Sequence, residues 1–147
     1  MIDRSQKLQE LIDVNPGIQF REIMRTSGLK NGVLSHYLKK LEDNGVVKVV
    51  RGPRQVRFYS PNITEEESIV IKALRKETPR DLLLALIKED GLDFSQLVKE
   101  VKKSPSTVSL YLSQIVADGL VEVKIVELKK RYHIKVRQLV DLSLIHI

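Results

Sequence analysis

The chain contains no cysteine and no tryptophan. The missing thiols exclude disulfides, thiolate metal sites and a cysteine nucleophile, and they fit an intracellular protein. Histidine is scarce: His36, His133 and His146 stand apart, with no metal-ligand spacing between them. No metal and no cofactor is expected. No uncharged run is long enough to span a bilayer, and the N-terminus lacks a signal-peptide pattern, so no membrane partner is expected. No glycine-rich phosphate loop follows a strand, and no pair of carboxylates sits in an apolar setting. Glu65, Glu66 and Glu67 read as charges favoured at a helix start, not as acid–base groups. Nothing recommends an enzyme.

What the chain does have is a repeat. Residues 20–47 align with residues 94–121 at a constant offset of 74, without a gap. Phe20 falls on Phe94, Ile23 on Leu97, Leu34 on Val108, Ser35 on Ser109, Tyr37 on Tyr111, Leu38 on Leu112 and Gly45 on Gly119. The offset extends to Gly17 and Gly91 upstream and to Arg57 and Arg131 downstream. A fixed period in apolar positions marks one folding unit used twice. Each unit has roughly 65–75 residues, enough to fold but with a marginal core.

The charge is uneven across the repeat. Of a net +6, residues 1–60 hold 11 Lys/Arg against 6 Asp/Glu, and residues 61–147 hold 14 against 13. A basic surplus on one small unit is the electrostatic footprint of a polyanion binder.

Each unit reads as helix, helix, turn, helix and two strands. In the first, Leu8, Leu11 and Ile12 give helical spacing over residues 3–14, and Asn15-Pro16-Gly17 stops it. A short helix is expected over 20–25 and a third over 31–43, with Leu34, Tyr37, Leu38 and Leu41 as its apolar stripe and Gly45 as a left-handed cap. Strands at 46–50 and 56–60 flank a tip of Arg51-Gly52-Pro53-Arg54-Gln55. In the second unit Thr78-Pro79 and Ser104-Pro105 each read as a cap followed by proline at the first helical position. The short helix is expected over 95–101, and strands over 120–128 and 130–137, joined around Lys129. Thr64 and Glu67 form a capping box that opens a helix at about 65–76, either a packed spacer or an extra helix of the second core. The expected division is 1–62, a linker helix 63–77, a second domain 78–141, and a tail 142–147. The tail (Leu-Ser-Leu-Ile-His-Ile) resembles the translation of a transposase-end adapter used in sequencing libraries. A genuine apolar terminus is the alternative.

The helix–turn–helix plus hairpin resembles the winged helix–turn–helix fold. The run from Ser27 through Lys30-Asn31-Gly32-Val33-Leu34-Ser35-His36-Tyr37 to Val47 is similar to the recognition-helix region of ArsR- and MarR-type transcriptional regulators, archaeal ones in particular. The wing-like run from Arg51 to Tyr59 adds to the likeness. The resemblance is strong over residues 3–60 and weaker over 78–137. It implies a mainly α fold with small β-hairpins (α+β), two tandem winged helix–turn–helix domains, and a cytoplasmic, nucleoid-associated regulator that binds double-stranded DNA.

The residues support a reader on the first unit. The apolar stripe of the third helix leaves Asn31, Gly32, Ser35, His36 and Lys39 toward the opposite side and the N-terminal end. Short polar groups there permit approach to base edges in the major groove. Lys30, Lys39 and Lys40 can reach phosphates, which supply affinity but little sequence information. Arg51, Arg54 and Arg57, with Gln55, make the hairpin a minor-groove or backbone probe. Tyr37 and Tyr111 are expected to be half-buried. Lys30 stands where the second unit has Ser104, and lysine cannot cap a helix, so Asn31 is the candidate cap.

The second unit makes a weaker reader. Lys102, Lys103, Ser106, Thr107 and Ser109, with Lys129, Lys130 and Arg131 at the hairpin, could serve DNA. Leu110 in the slot of His36, Glu127 at the tip and the near-neutral charge argue against it. A second half-site, dimerisation and protein contact stay open for this unit. Partners left open are a second copy, with an internal pseudo-dimer as the alternative, and a protein of the transcription machinery. The rival reading for the whole chain is a tandem winged-helix interaction module of a transcription or chromosome-segregation complex.

Overall fold

The computed structural model describes residues 3–135. The expected end of the last strand and the tail 142–147 lie outside those residues. The chain divides into two compact units between Ser68 and Ile69.

The first unit begins with α1 (Arg4–Val14), capped by the Asp3 carboxylate, which accepts from the Gln6 N–H at 2.8 Å. Next come β1 (Ile18–Gln19), α2 (Phe20–Ser27), α3 (Asn31–Asp43), β2 (Lys48–Arg51) and β3 (Val56–Tyr59). The strands form an antiparallel sheet in the order β1-β3-β2, with Phe58 opposite both Ile18 and Val49. The core joins Leu8 and Ile12 of α1, Ile23 of α2, Leu34, Leu38 and Leu41 of α3, and Phe58 of β3. The helical ones are positions that the helical spacing marks. The strand β1 is new: a two-residue strand carries no period to read.

The second unit repeats the order. After α4 (Glu65–Leu74) come α5 (Glu77–Lys88), β4 (Leu92–Asp93), α6 (Phe94–Val101), α7 (Pro105–Ala117), β5 (Val121–Val126) and β6 (Lys129–Ile134). Its sheet has the order β4-β6-β5. Leu82, Leu86, Leu97, Val108, Leu112 and Ile115 build the core. Val70, Ala73 and Leu74 of α4 belong to that core, the second of the two readings of this helix. The capping box forms as expected, with Glu67 N–H donating to Thr64 Oγ1 at 3.1 Å and Thr64 N–H donating to Glu67 Oε1 at 3.2 Å.

Three local expectations are corrected. Lys30, not Asn31, is the N-cap of α3 and makes no side-chain capping bond. Asn31 is the first helical residue, and its Oδ1 accepts instead from Ser35 Oγ at 3.3 Å. Thr78 and Pro79 lie inside α5, which starts at Glu77 behind Lys76; Pro79 is tolerated because first-turn N–H groups have no intrahelical partner. The second hairpin turns at Glu127-Leu128, both at positive φ (51° and 69°), rather than at Lys129. Two residues with positive φ make the turn that matches strand twist. Ser104, by contrast, caps α7 as expected, accepting from Thr107 N–H ahead of Pro105.

The repeat differs at one backbone position of interest. Gly28 closes α2 in the left-handed region at φ 72°, and Lys102 closes α6 there at φ 57°. A side chain in that region costs on the order of 1–2 kcal/mol. Allowing for the greater unfolded-state freedom of glycine, Lys102→Gly is expected to stabilise the second unit by roughly 0.5–1 kcal/mol. Thermal denaturation checks this, and a lowered melting temperature would show that Lys102 is held by its side chain.

Candidate nucleic-acid interface

α3 is positioned by its buried stripe. Leu34, Leu38 and Leu41 anchor it, and Gly45, at φ 74°, ends it. With that face inward, Asn31, Gly32, Ser35, His36, Lys39 and Lys40 are all exposed, as is Lys30 just before the helix. Tyr37 is half-buried, and its ring meets that of His36 edge-on, with centroids 5.6 Å apart. Val33 joins the outward face at 37% exposure. The expected stripe leaves Val33 out without marking it as a contact.

The wing cations have three different fates. Arg54, at the tip, is exposed. Arg51 is exposed but pinned: its guanidinium donates to both carboxylate oxygens of Glu42 on α3, at 2.8 and 2.7 Å. That bidentate hydrogen bonding lowers the Glu42 pKa against a small opposing desolvation, and it raises that of Arg51. A carboxyl with a lowered folded-state pKa holds its partner above the ordinary glutamate range and loses it only as the pH falls through the lowered value. The pin is thus intact at neutral pH and ties the hairpin to the C-terminal end of α3. Glu42 escapes sequence reading because nothing in its spacing shows that it faces the hairpin.

Arg57 is a correction. It is 5% exposed, and its Nη1 donates to the Gly17 carbonyl at 2.7 Å while Nε donates to Gln55 Oε1 at 3.2 Å. On β3, Arg57, Phe58 and Tyr59 are all buried, so both faces of the sheet are covered there and alternation does not expose Arg57. Arg57 is a structural strut, and Gln55 is half-buried beside it.

The same strut recurs 74 residues on. Arg131, half-buried, donates to the Gly91 carbonyl at 3.0 Å, so it too faces inward rather than toward DNA. Other expected contacts of the second unit are also engaged internally. Lys103 is half-buried, 3.4 Å from Glu77 Oε1. Thr107 Oγ1 accepts from Ser104 Oγ at 2.9 Å, with Ser106 Oγ 3.2 Å from the same hydroxyl. Lys129 lies 3.8 Å from Asp93. Lys102, Ser106, Ser109 and Lys130 are exposed. His133, read as isolated, has its Nδ1 3.0 Å from Asp90 Oδ2.

A cleft between the third helix and the wing occurs in both units and shows how they diverge. In the first it is bordered by Lys39, Glu42 and Arg51. In the second the equivalent positions are Ser113, Val116 and Ile125, of which the first two line the cleft. At these three positions a charged rim gives way to a neutral, partly apolar one, although Lys130 also lines the second cleft.

Residues 6–48 match the family described as winged helix-turn-helix DNA-binding, and residues 76–123 match the family described as bacterial regulatory protein, arsR family. The first match takes in most of α1 with α2 and α3, and the second takes in α5, α6 and α7. The chain is a tandem of two winged helix–turn–helix units, the second of which carries the match to the arsR family. It falls in the general class of DNA-binding regulators, and the matched families are regulatory proteins rather than enzymes. Similar solved structures include HlyU from Vibrio cholerae N16961 (20% identity, 54% of this chain and 86% of that one, TM-score 0.48). A predicted DNA-binding transcriptional regulator from E. coli is also similar (20%, 55% and 85%, 0.49). So is a MarR family transcriptional regulator from Silicibacter pomeroyi (23%, 55% and 60%, 0.45). No curated protein matches the chain. Among the described residues no helix is long and apolar enough to cross a membrane, and no cluster of metal-ligating side chains occurs.

Proposed function

We propose that the first unit is a sequence reader that lays α3 in the major groove and sets Arg54 on the adjacent backbone or minor groove. One observation carries this reading: the exposed N-terminal half of α3 and the exposed guanidinium of Arg54 belong to elements tied together by the Arg51–Glu42 pin. Ser35, His36 and Asn31 would read base edges, with Val33 against a methyl group. Lys30, Lys39 and Lys40 would neutralise phosphates. Regulation would follow from competition with, or recruitment of, the transcription machinery at a promoter in the cytoplasm. A protein-contact role is favoured for the second unit by Leu110, Ile125 and Leu128, which are 56%, 71% and 98% exposed.

The test is binding to random-sequence duplex DNA over a salt series. Arg54→Ala is expected to weaken binding to all sequences and to lower the salt slope by about 1. His36→Ala is expected to leave the slope alone and relax selection at one position by about 1–3 kcal/mol. An absence of binding at low salt would remove the reading.

A further inference from the structure

We propose that β5 is a self-association edge, through which two copies of the chain pair antiparallel about Val123. β5 is the outer strand of the order β4-β6-β5, so one of its sides lacks a strand partner among the described residues of the unit. Which of its groups face that side follows from the ladder. Leu120 C=O accepts from Lys135 N–H at 3.0 Å, and a two-residue turn pairs Val126 with Lys129. Antiparallel bonds alternate along a strand, so Glu122 and Lys124 also bond toward β6. Tyr132, opposite Val123, turns its carbonyl the other way, to Gly91 N–H at 3.0 Å. The N–H and C=O groups of Val121, Val123 and Ile125 therefore point out of the open edge.

Charge, at Glu122 and Lys124, is what that edge has to discourage pairing with a strand that does not match it. Proline is absent from β5, and its outward side chains include Val123 at 39% and Ile125 at 71% exposure. The sequence Val-Glu-Val-Lys-Ile-Val is moreover complementary to itself when reversed. Only odd-numbered residues offer bonds at the edge, so an antiparallel self-pair bonds odd residues to odd residues and can centre on any residue from 121 to 125. Centred on Val123, it bonds Val121 to Ile125 on both sides and sets Glu122 opposite Lys124 of the second copy, twice. Those are the non-hydrogen-bonded positions, where side chains approach most closely. Within one chain Lys124 Nζ lies 3.5 Å from Glu122 Oε1, so the two charges already share a face. The other centres lose this match: those at 121 and 125 leave Glu122 or Lys124 opposite an apolar residue, and those at 122 and 124 set Glu122 or Lys124 opposite its own copy. The first unit has no counterpart: β2 is bounded by Lys48 and Arg51 and contains no acid.

The proposal does not depend on DNA binding, since it is measured without DNA. A single strand pair buries far less than the ~1,000 Å² of a stable interface, so dimerisation is expected at about 100 μM. Sedimentation equilibrium from about 10 μM to 1 mM should show the mass rising from 16.8 kDa toward twice that value. E122K and K124E should each weaken association about tenfold by opposing like charges. An equimolar mixture of the two variants, and the double variant E122K/K124E, should recover the parent's association. A parent that stays monomeric throughout overturns the proposal. So does a dimer indifferent to both single changes, which would place the contact on another surface.

Discussion

Replacing Arg57 by alanine should destabilise the first unit by about 2–4 kcal/mol, because the change strips a buried strut rather than a DNA contact. The Gly17 carbonyl, itself buried, would lose the donor 2.7 Å away, and the space filled by the long side chain would empty. Arg57→Lys keeps the charge and most of the stem but not the fork, so it should recover only part of the loss. Arg131→Ala should cost less, about 1–2 kcal/mol, since its bond is longer and its side chain only half-buried. Urea denaturation with DNA binding in parallel separates the two roles. Unchanged stability with weakened DNA affinity would return Arg57 to the wing's contact surface.

Leu34→Ala should cost about 3–5 kcal/mol, the range for a fully buried leucine whose cavity cannot close. Leu34 is 0% exposed and holds α3 against α1 and α2. A unit of this size has only a few kcal/mol to spare, so DNA affinity should fall with the folded fraction. Two residues along, His36→Ala should leave the denaturation midpoint within about 0.5 kcal/mol of the parent, because the imidazole is on the outward face. The pair tests the two-faced character of α3. A leucine variant that kept its midpoint yet lost DNA, or a histidine variant that unfolded, would reverse the assignment of faces.

Much of this architecture is legible in the residues. The bounds of α3 agree with expectation because a 3.6-residue apolar period and a glycine stop coincide there. The repeat finds the second core because Leu34 and Val108, Leu38 and Leu112, and Leu41 and Ile115 are buried in pairs. The Thr64–Glu67 box is a four-residue pattern and needs nothing beyond itself. β1 and β4 escape notice for a different reason. Two residues have no periodicity, and they become strands only when β3 and β6 arrive from about 40 positions away.

Sequence alone therefore determined what local spacing can carry: two copies of one unit, the buried side of each helix, and a basic surplus on the first copy. Tertiary structure decided which cations remain available. Arg57 and Arg131 each reach a glycine carbonyl 40 residues back, Arg51 meets Glu42 across the wing, and Lys103 meets Glu77. The length of an arginine or lysine side chain is known from its name. Its partner is whichever carbonyl or carboxylate the folded backbone brings within about 3 Å, and no pattern of neighbours in the chain encodes that distance.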